Sequence, residues 1–216
     1  MSHDDRLDVI EKEKYEQVWT FDQYRNWSPG CDEQERALES FDDMDMELID
    51  FKYQPSVCDY GCGEGWSVQF FTDAGYKAWG VEHAKNAVKA AGILVYEECL
   101  WDMTHLPASD YAFCCDVMEH IPPNKVNLVL SQIAWRTRRL AWFRIATVGD
   151  NFGPTLLKKP LHLTVEPASW WRETLLRHFD WVDDIQIRSG FCVFRAGFSQ
   201  TDVLESMPQA QEGQTT

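Results

Sequence analysis

Between residues 57 and 198 the chain alternates two patterns. Short apolar runs at 57–60, 77–81, 93–96, 111–116 and 140–146 read as buried strands. The stretches 67–74, 84–91, 124–135 and 167–178 carry apolar residues at helical spacing, and the last opens with a proline in its first turn. Two late runs, 184–188 and 191–198, are joined by Ser189-Gly190 and predict a hairpin. Strands alternating with helices predict a mostly parallel α/β sheet covered on both faces, with an antiparallel strand at its close.

Before this core the pattern changes. Residues 1–20 predict a charged helix with Leu7, Ile10, Tyr15, Val18 and Trp19 on an imperfect stripe. Residues 20–30 end on the turn signal Trp27-Ser28-Pro29-Gly30, and 32–50 places Ala37, Phe41, Met44 and Leu48 at helical spacing. These helices are expected either to flap over the core or to cover an edge of its sheet. The division is 1–50 for this helical lid, 51–198 for the core domain and 199–216 for a polar, disordered tail.

Charge follows that division. The net charge is −15, of which residues 1–50 carry −11, while 51–198 is close to neutral at −1. An acidic arm repels phosphate polymers, so nonspecific nucleic-acid binding is not expected. No apolar run reaches membrane-spanning length and the start is polar, which predicts a cytoplasmic protein with no membrane partner. Seven cysteines, an odd count, predict reduced thiols. No C-x-x-C pair is present and the histidines lack ligand spacing, so no metal site is expected.

The candidate chemistry centres on Asp59-x-Gly61-x-Gly63-x-Gly65, after the first strand. A strand–glycine turn–helix unit offers backbone N–H groups to a ligand. A dinucleotide site wants G-x-G-x-x-G, and Trp66 stands where its last glycine belongs. Acids follow the strands at Asp59, Glu82, Asp102 and Asp116, suited to accept from the hydroxyls and amine of a nucleoside.

The glycine spacing after an acid resembles the first motif of class I methyltransferases dependent on S-adenosylmethionine (SAM). Asp116-Val117-Met118-Glu119-His120-Ile121-Pro122 resembles the D-V-x-E-H-x-P segment of their ubiquinone-biosynthesis type, and His162-x-Thr164 with Glu166-Pro167 and Trp170-Trp171 resembles compact, often phage-encoded members. The resemblance implies a Rossmann-like, seven-stranded fold and SAM as cofactor. It implies cofactor-binding roles for Asp59, Gly61, Cys62, Gly63, Gly65, Glu82, His83, Asp102, Met103 and Asp116. Glu119, His120 and His162 are the catalytic candidates, with His120 or His162 as base. Tyr24-Arg25 loosely resembles a lid that closes over cofactor and substrate. Arg136, Arg138, Arg139, Arg144, Lys158 and Lys159 form a basic region that either receives an anionic acceptor or balances the acidic arm. The acceptor stays open, with a small molecule or modified nucleotide favoured. A nicotinamide-dependent oxidoreductase and a non-catalytic SAM-binding protein are the alternatives.

Overall fold

The computed structural model describes residues 3–27, 33–46 and 53–199. The turn at 28–30, the ends of the 32–50 helix and the polar tail from 200 onward lie outside the described residues.

Seven strands form one sheet: β1 (Ser56–Tyr60), β2 (Lys77–Glu82), β3 (Val95–Glu97), β4 (Ser109–Cys115), β5 (Thr137–Ala146), β6 (Trp181–Arg188) and β7 (Phe191–Gly197). Their order is β3-β2-β1-β4-β5-β7-β6. β1 to β5 pair in parallel, and β7 runs antiparallel to both β5 and β6. β3 begins two residues later than the apolar run suggests, because Gly80 of β2 pairs with Val95.

The pleat sends alternate residues of each strand to opposite faces. Cys58, Tyr60, Ala112, Cys114, Ala141 and Phe143 join one core with α6 (Val126–Arg136) and α7 (Ala168–Leu175). Val57, Tyr111, Phe113, Leu140 and Trp142 join a second core with α3 (Gln34–Met46) and α4 (Trp66–Asp73). Pro167 is the cap of α7 rather than a residue of its first turn.

The amino-terminal helices therefore divide. α3 does not flap over the glycine turn: Phe41 stacks on Tyr111, with ring centroids 4.3 Å apart, so α3 covers a sheet face. α1 (His3–Val18) and α2 (Asp22–Trp27) instead contribute Tyr15, Tyr24 and Trp27 to the roof of a cleft. Val18, Trp19 and Tyr24 pack with Ala84, Ala87 and Leu161 above the carboxyl ends of the strands. α5 (Lys85–Ala91) has no side-chain cap of its own, and α1 supplies one. The Glu16 carboxylate accepts from the amides of Lys85 (2.5 Å) and Asn86 (3.2 Å), and Asn86 Nδ2 donates to the Glu16 carbonyl (2.7 Å). Lys12–Glu97 and Arg25–Glu64 ion pairs add two exposed ties. The six described cysteines form no disulfide, and no described helix is long and apolar enough to cross a membrane.

Candidate functional site

A cleft of about 620 Å³ opens above the carboxyl ends of β1, β2, β4 and β5, roofed by Tyr15, Trp19, Tyr24 and Trp27. Open α/β sheets place ligands here because the strand order reverses and leaves a crevice. The volume lies in the range of small-molecule sites, roughly 300–1,000 Å³.

The glycine turn forms one wall. Gly61 and Gly63 line the cleft, whereas Gly65 caps α4 and faces Ile93. Gly63 has φ +54° and lies under the Trp19 ring, so a Cβ there would fall 2.6 Å from that ring. The amides expected to greet a ligand are already occupied. Gly61 and Cys62 donate to the Val81 carbonyl (2.8 and 3.0 Å), Gly65 donates to Cys62 (2.8 Å), and Gly63 donates to Glu82 Oε2 (3.0 Å). Glu82 Oε1 also accepts from His83 and Ala84 (2.8 Å each). Glu82 thus ties the glycine turn to the start of α5, and burial raises its pKa even though these three bonds oppose it.

Asp59 lines the floor and forms no ion pair among the described residues. Burial, with the Glu82 charge added, pushes its pKa up to about 8. His83 and Trp101 complete this side, their rings edge to face at 6.1 Å. Asp102 and Met103 are not in the cleft. The Asp102 amide closes a turn onto the Cys99 carbonyl, which buries Trp101, leaves Asp102 exposed and sends Met103 into the core. Of these three loop residues, Trp101 alone lines the cleft.

The far wall is built by the turn after β4. Asp116 adopts a left-handed conformation (φ 54°) and pairs with Arg144. Burial raises its pKa although Arg144 opposes the rise. Glu119 is fully buried, and neither carboxylate oxygen has a hydrogen-bond partner among the described residues, though backbone amides of Glu119 and Ala146 favour its charge. Burial and then the Asp116 charge hold its pKa well above the ordinary value.

The loop after β5 is not structureless: it contains a π-type turn, Gly153–Leu157, held by Asp150. The Asp150 carboxylate accepts from the amides of Gly153 (2.5 Å), Leu161 (2.8 Å) and His162 (3.0 Å). Leu163 and Thr164 then donate to the Glu119 carbonyl (2.7 and 2.9 Å). This double grip brings His162 to His120, with ring centroids 4.8 Å apart and nearly perpendicular. Each imidazole places Nδ1 against a backbone carbonyl, His120 on Leu161 (3.1 Å) and His162 on Val148 (2.6 Å). A carbonyl only accepts, so Nδ1–H donates in each ring and Nε2 carries the lone pair. Burial and the neighbouring His162 lower the His120 pKa to about 3, which makes it a weak base at neutral pH. One ligand atom each from Glu119, His120 and His162 lies within 4.8 Å of the others, a set able to hold a metal ion. Sequence spacing hid it, since His162 is 42 positions from His120.

The basic region is dispersed. Arg144 lines the cleft, but buried Arg136 donates to the carbonyls of Leu106 and Met103, Arg139 lies over the Tyr53 and Tyr111 rings, and Lys158 and Lys159 are exposed outside it.

Strand order 3-2-1-4-5-7-6 with a single antiparallel strand, helices on both faces and a cleft above the strand ends is the Rossmann-like fold of class I methyltransferases. Among solved structures the chain is similar to magnesium protoporphyrin IX methyltransferase from Synechocystis PCC 6803 with bound SAH, at TM-score 0.63 and 18% identity over 89% of this chain and 99% of that one. It is also similar to DhpI in a complex with SAM and HEP, at TM-score 0.58 and 14% identity over 90% and 98% of the two chains. The methyltransferase domain of bacterial CtHen1 matches at TM-score 0.56 and 16% identity over 76% and 98%. At these identities the likeness is one of fold. No protein-family model matches the chain. No curated protein matches it either.

Proposed function

We propose that this chain is a methyltransferase that takes SAM as donor and passes the methyl group to a small molecule or modified nucleotide. The observation that carries this reading is the occupied glycine turn set among acids. A dinucleotide needs free turn amides for its pyrophosphate. Here Gly61, Cys62, Gly63 and Gly65 already donate inside the protein, and the Glu82 carboxyl holds the Gly63 amide that a phosphate would need. SAM carries a sulfonium and an ammonium against one carboxylate, so it is cationic. The cleft lines up Glu11, Asp59, Glu82, Asp116, Glu119 and Asp150 against Arg144, which suits such a ligand. The fold likeness to proteins solved with SAM or SAH points the same way.

When bound, SAM supplies an electrophilic methyl group on its sulfonium. The chain's own work is alignment and exclusion of water, because an in-line displacement gains most from a held near-attack geometry. Asp59 and Glu82 accept from donor groups of the cofactor, and Trp101 and His83 flank its base. Trp19, Tyr24 and Phe152 close the cleft against water. The acceptor enters on the side of His120 and His162, opposite the glycine turn. With its Nε2 free of metal, His162 is the better placed of the two to take a proton, since His120 is held neutral by burial.

Thermal unfolding with ligands tests the reading. A ligand at about one hundred times its Kd stabilises by about 2.7 kcal/mol, so SAM and SAH should each raise Tm by several degrees while NAD leaves it unchanged. A rise with NAD and none with SAM would transfer the chain to the oxidoreductases. Incorporation of labelled methyl into extract components separates catalysis from binding alone.

A further inference from the structure

We infer that Glu119, His120 and His162 form a binding site for one first-row divalent cation in the acceptor half of the cleft. The three side chains arrive from the turn after β4 and the loop after β5, and all three line the cleft wall. Each presents acceptor atoms. The Nδ1 of each imidazole faces a backbone carbonyl, at 3.1 Å for His120 and 2.6 Å for His162, which fixes the tautomer with Nε2 as the free lone pair. Metal-bound histidines are oriented in this way by a partner on the other nitrogen. The third member is the Glu119 carboxylate, fully buried, with no side-chain hydrogen-bond partner among the described residues and only the Glu119 and Ala146 amides beside it. A buried carboxylate that is incompletely compensated costs several kcal/mol in order of magnitude; the Glu119 and Ala146 amides and the Arg144 charge favour its ionised form, yet burial still holds its pKa well above the ordinary value. A cation shared with two imidazoles would supply what is missing.

Two imidazoles and one carboxylate favour zinc, cobalt, iron or manganese over magnesium and calcium, which prefer oxygen. The ligand atoms lie within 4.8 Å of one another. Bonds of about 2.0–2.1 Å to nitrogen would draw them inward by about 1 Å. Three protein ligands leave positions open for an acceptor oxygen. That use rests on the methyl-transfer reading; the metal site itself does not.

The test uses the untagged full chain, stripped by a chelator and titrated with Co2+ while its visible d–d absorption is followed. One equivalent should bind, and Zn2+ should displace it. His162→Ala and His120→Ala should each weaken Co2+ binding at least tenfold, Glu119→Gln similarly, and His105→Ala, exposed and outside the cleft, should match the wild type. If Glu119→Gln fails to fold, His162→Ala carries the comparison, with its circular dichroism as the control. No Co2+ uptake by the wild type at millimolar concentration, or uptake unaltered in both histidine variants, overturns the site. Calorimetry with SAM on the same samples keeps the two questions apart. SAM binding without metal uptake defeats only the metal site, and metal uptake without SAM binding defeats only the methyl-transfer reading.

Discussion

At the scale of single residues, the cleft depends on atoms that touch no ligand of their own choosing. Gly63 holds a left-handed backbone under the Trp19 ring, 2.6 Å from where a Cβ would sit. Gly63→Ala should therefore cost about 1–3 kcal/mol of stability and displace Trp19, read by denaturant unfolding and tryptophan fluorescence. Asp59 makes a second prediction. Its folded pKa of about 8 lies above the ordinary carboxylate value. Between those two values the native chain binds one more proton than the unfolded chain, so this group's contribution falls as pH rises. Its burial is harmless below about pH 4 and most costly toward pH 8. Asp59→Asn should gain stability relative to wild type from pH 5 to 8, by at least about 1 kcal/mol; a difference independent of pH would contradict the assignment. Asp59, Glu82, Gly61 and Gly63 line the cleft where their spacing puts them, because a strand end and a tight turn are local facts, whereas Gly65 faces Ile93. Asp102 and Met103 do not line it either. A turn closed by one backbone bond, from Asp102 to Cys99, reverses which neighbour faces inward, and nothing in side-chain type announces it.

At the scale of elements, α1 and α5 stabilise one another. α5 is short and begins without a cap, and Glu16 of α1 caps it from 69 and 70 positions away. Replacing a cap by alanine costs about 0.5–2 kcal/mol. Glu16→Ala should lose that amount and speed amide exchange in both α1 and α5, while α6 and α7 keep their protection. Loss of protection confined to α5 would show that α1 is anchored elsewhere. The strands were readable because each is a short apolar run between polar turns, and the parallel order followed from the helices between them. The division of labour among the amino-terminal helices was not readable. The α3 stripe of Ala37 and Phe41 looks like any amphipathic helix, and only the aromatic surface of Tyr111 and Phe71 decides that it lies on a sheet face rather than over the cleft.

At the scale of the whole molecule, the acidic cleft selects its ligand by charge. SAM binding should weaken with ionic strength, since among the described residues six carboxyl groups line the cleft against one arginine, and an approaching cation favours the ionised form of those that burial holds protonated. Calorimetry at low and high salt should give a clearly higher Kd in the latter, and an unchanged Kd would argue for burial rather than charge as the selector. The convergence of His120 and His162 belongs to this scale as well. It needs Asp150 to fold its own loop and the Glu119 carbonyl, more than forty positions from Leu163 and Thr164, to receive that loop, and neither leaves a periodic trace in the chain.

The same Trp19–Glu16 stretch that roofs the cleft also staples α5 to it. Ligand access and the anchoring of a helix start thus share one piece of chain. A variant with that fastening cut should release its spent ligand sooner and hold a fresh one less firmly, and its turnover should rise wherever departure, not transfer, sets the pace.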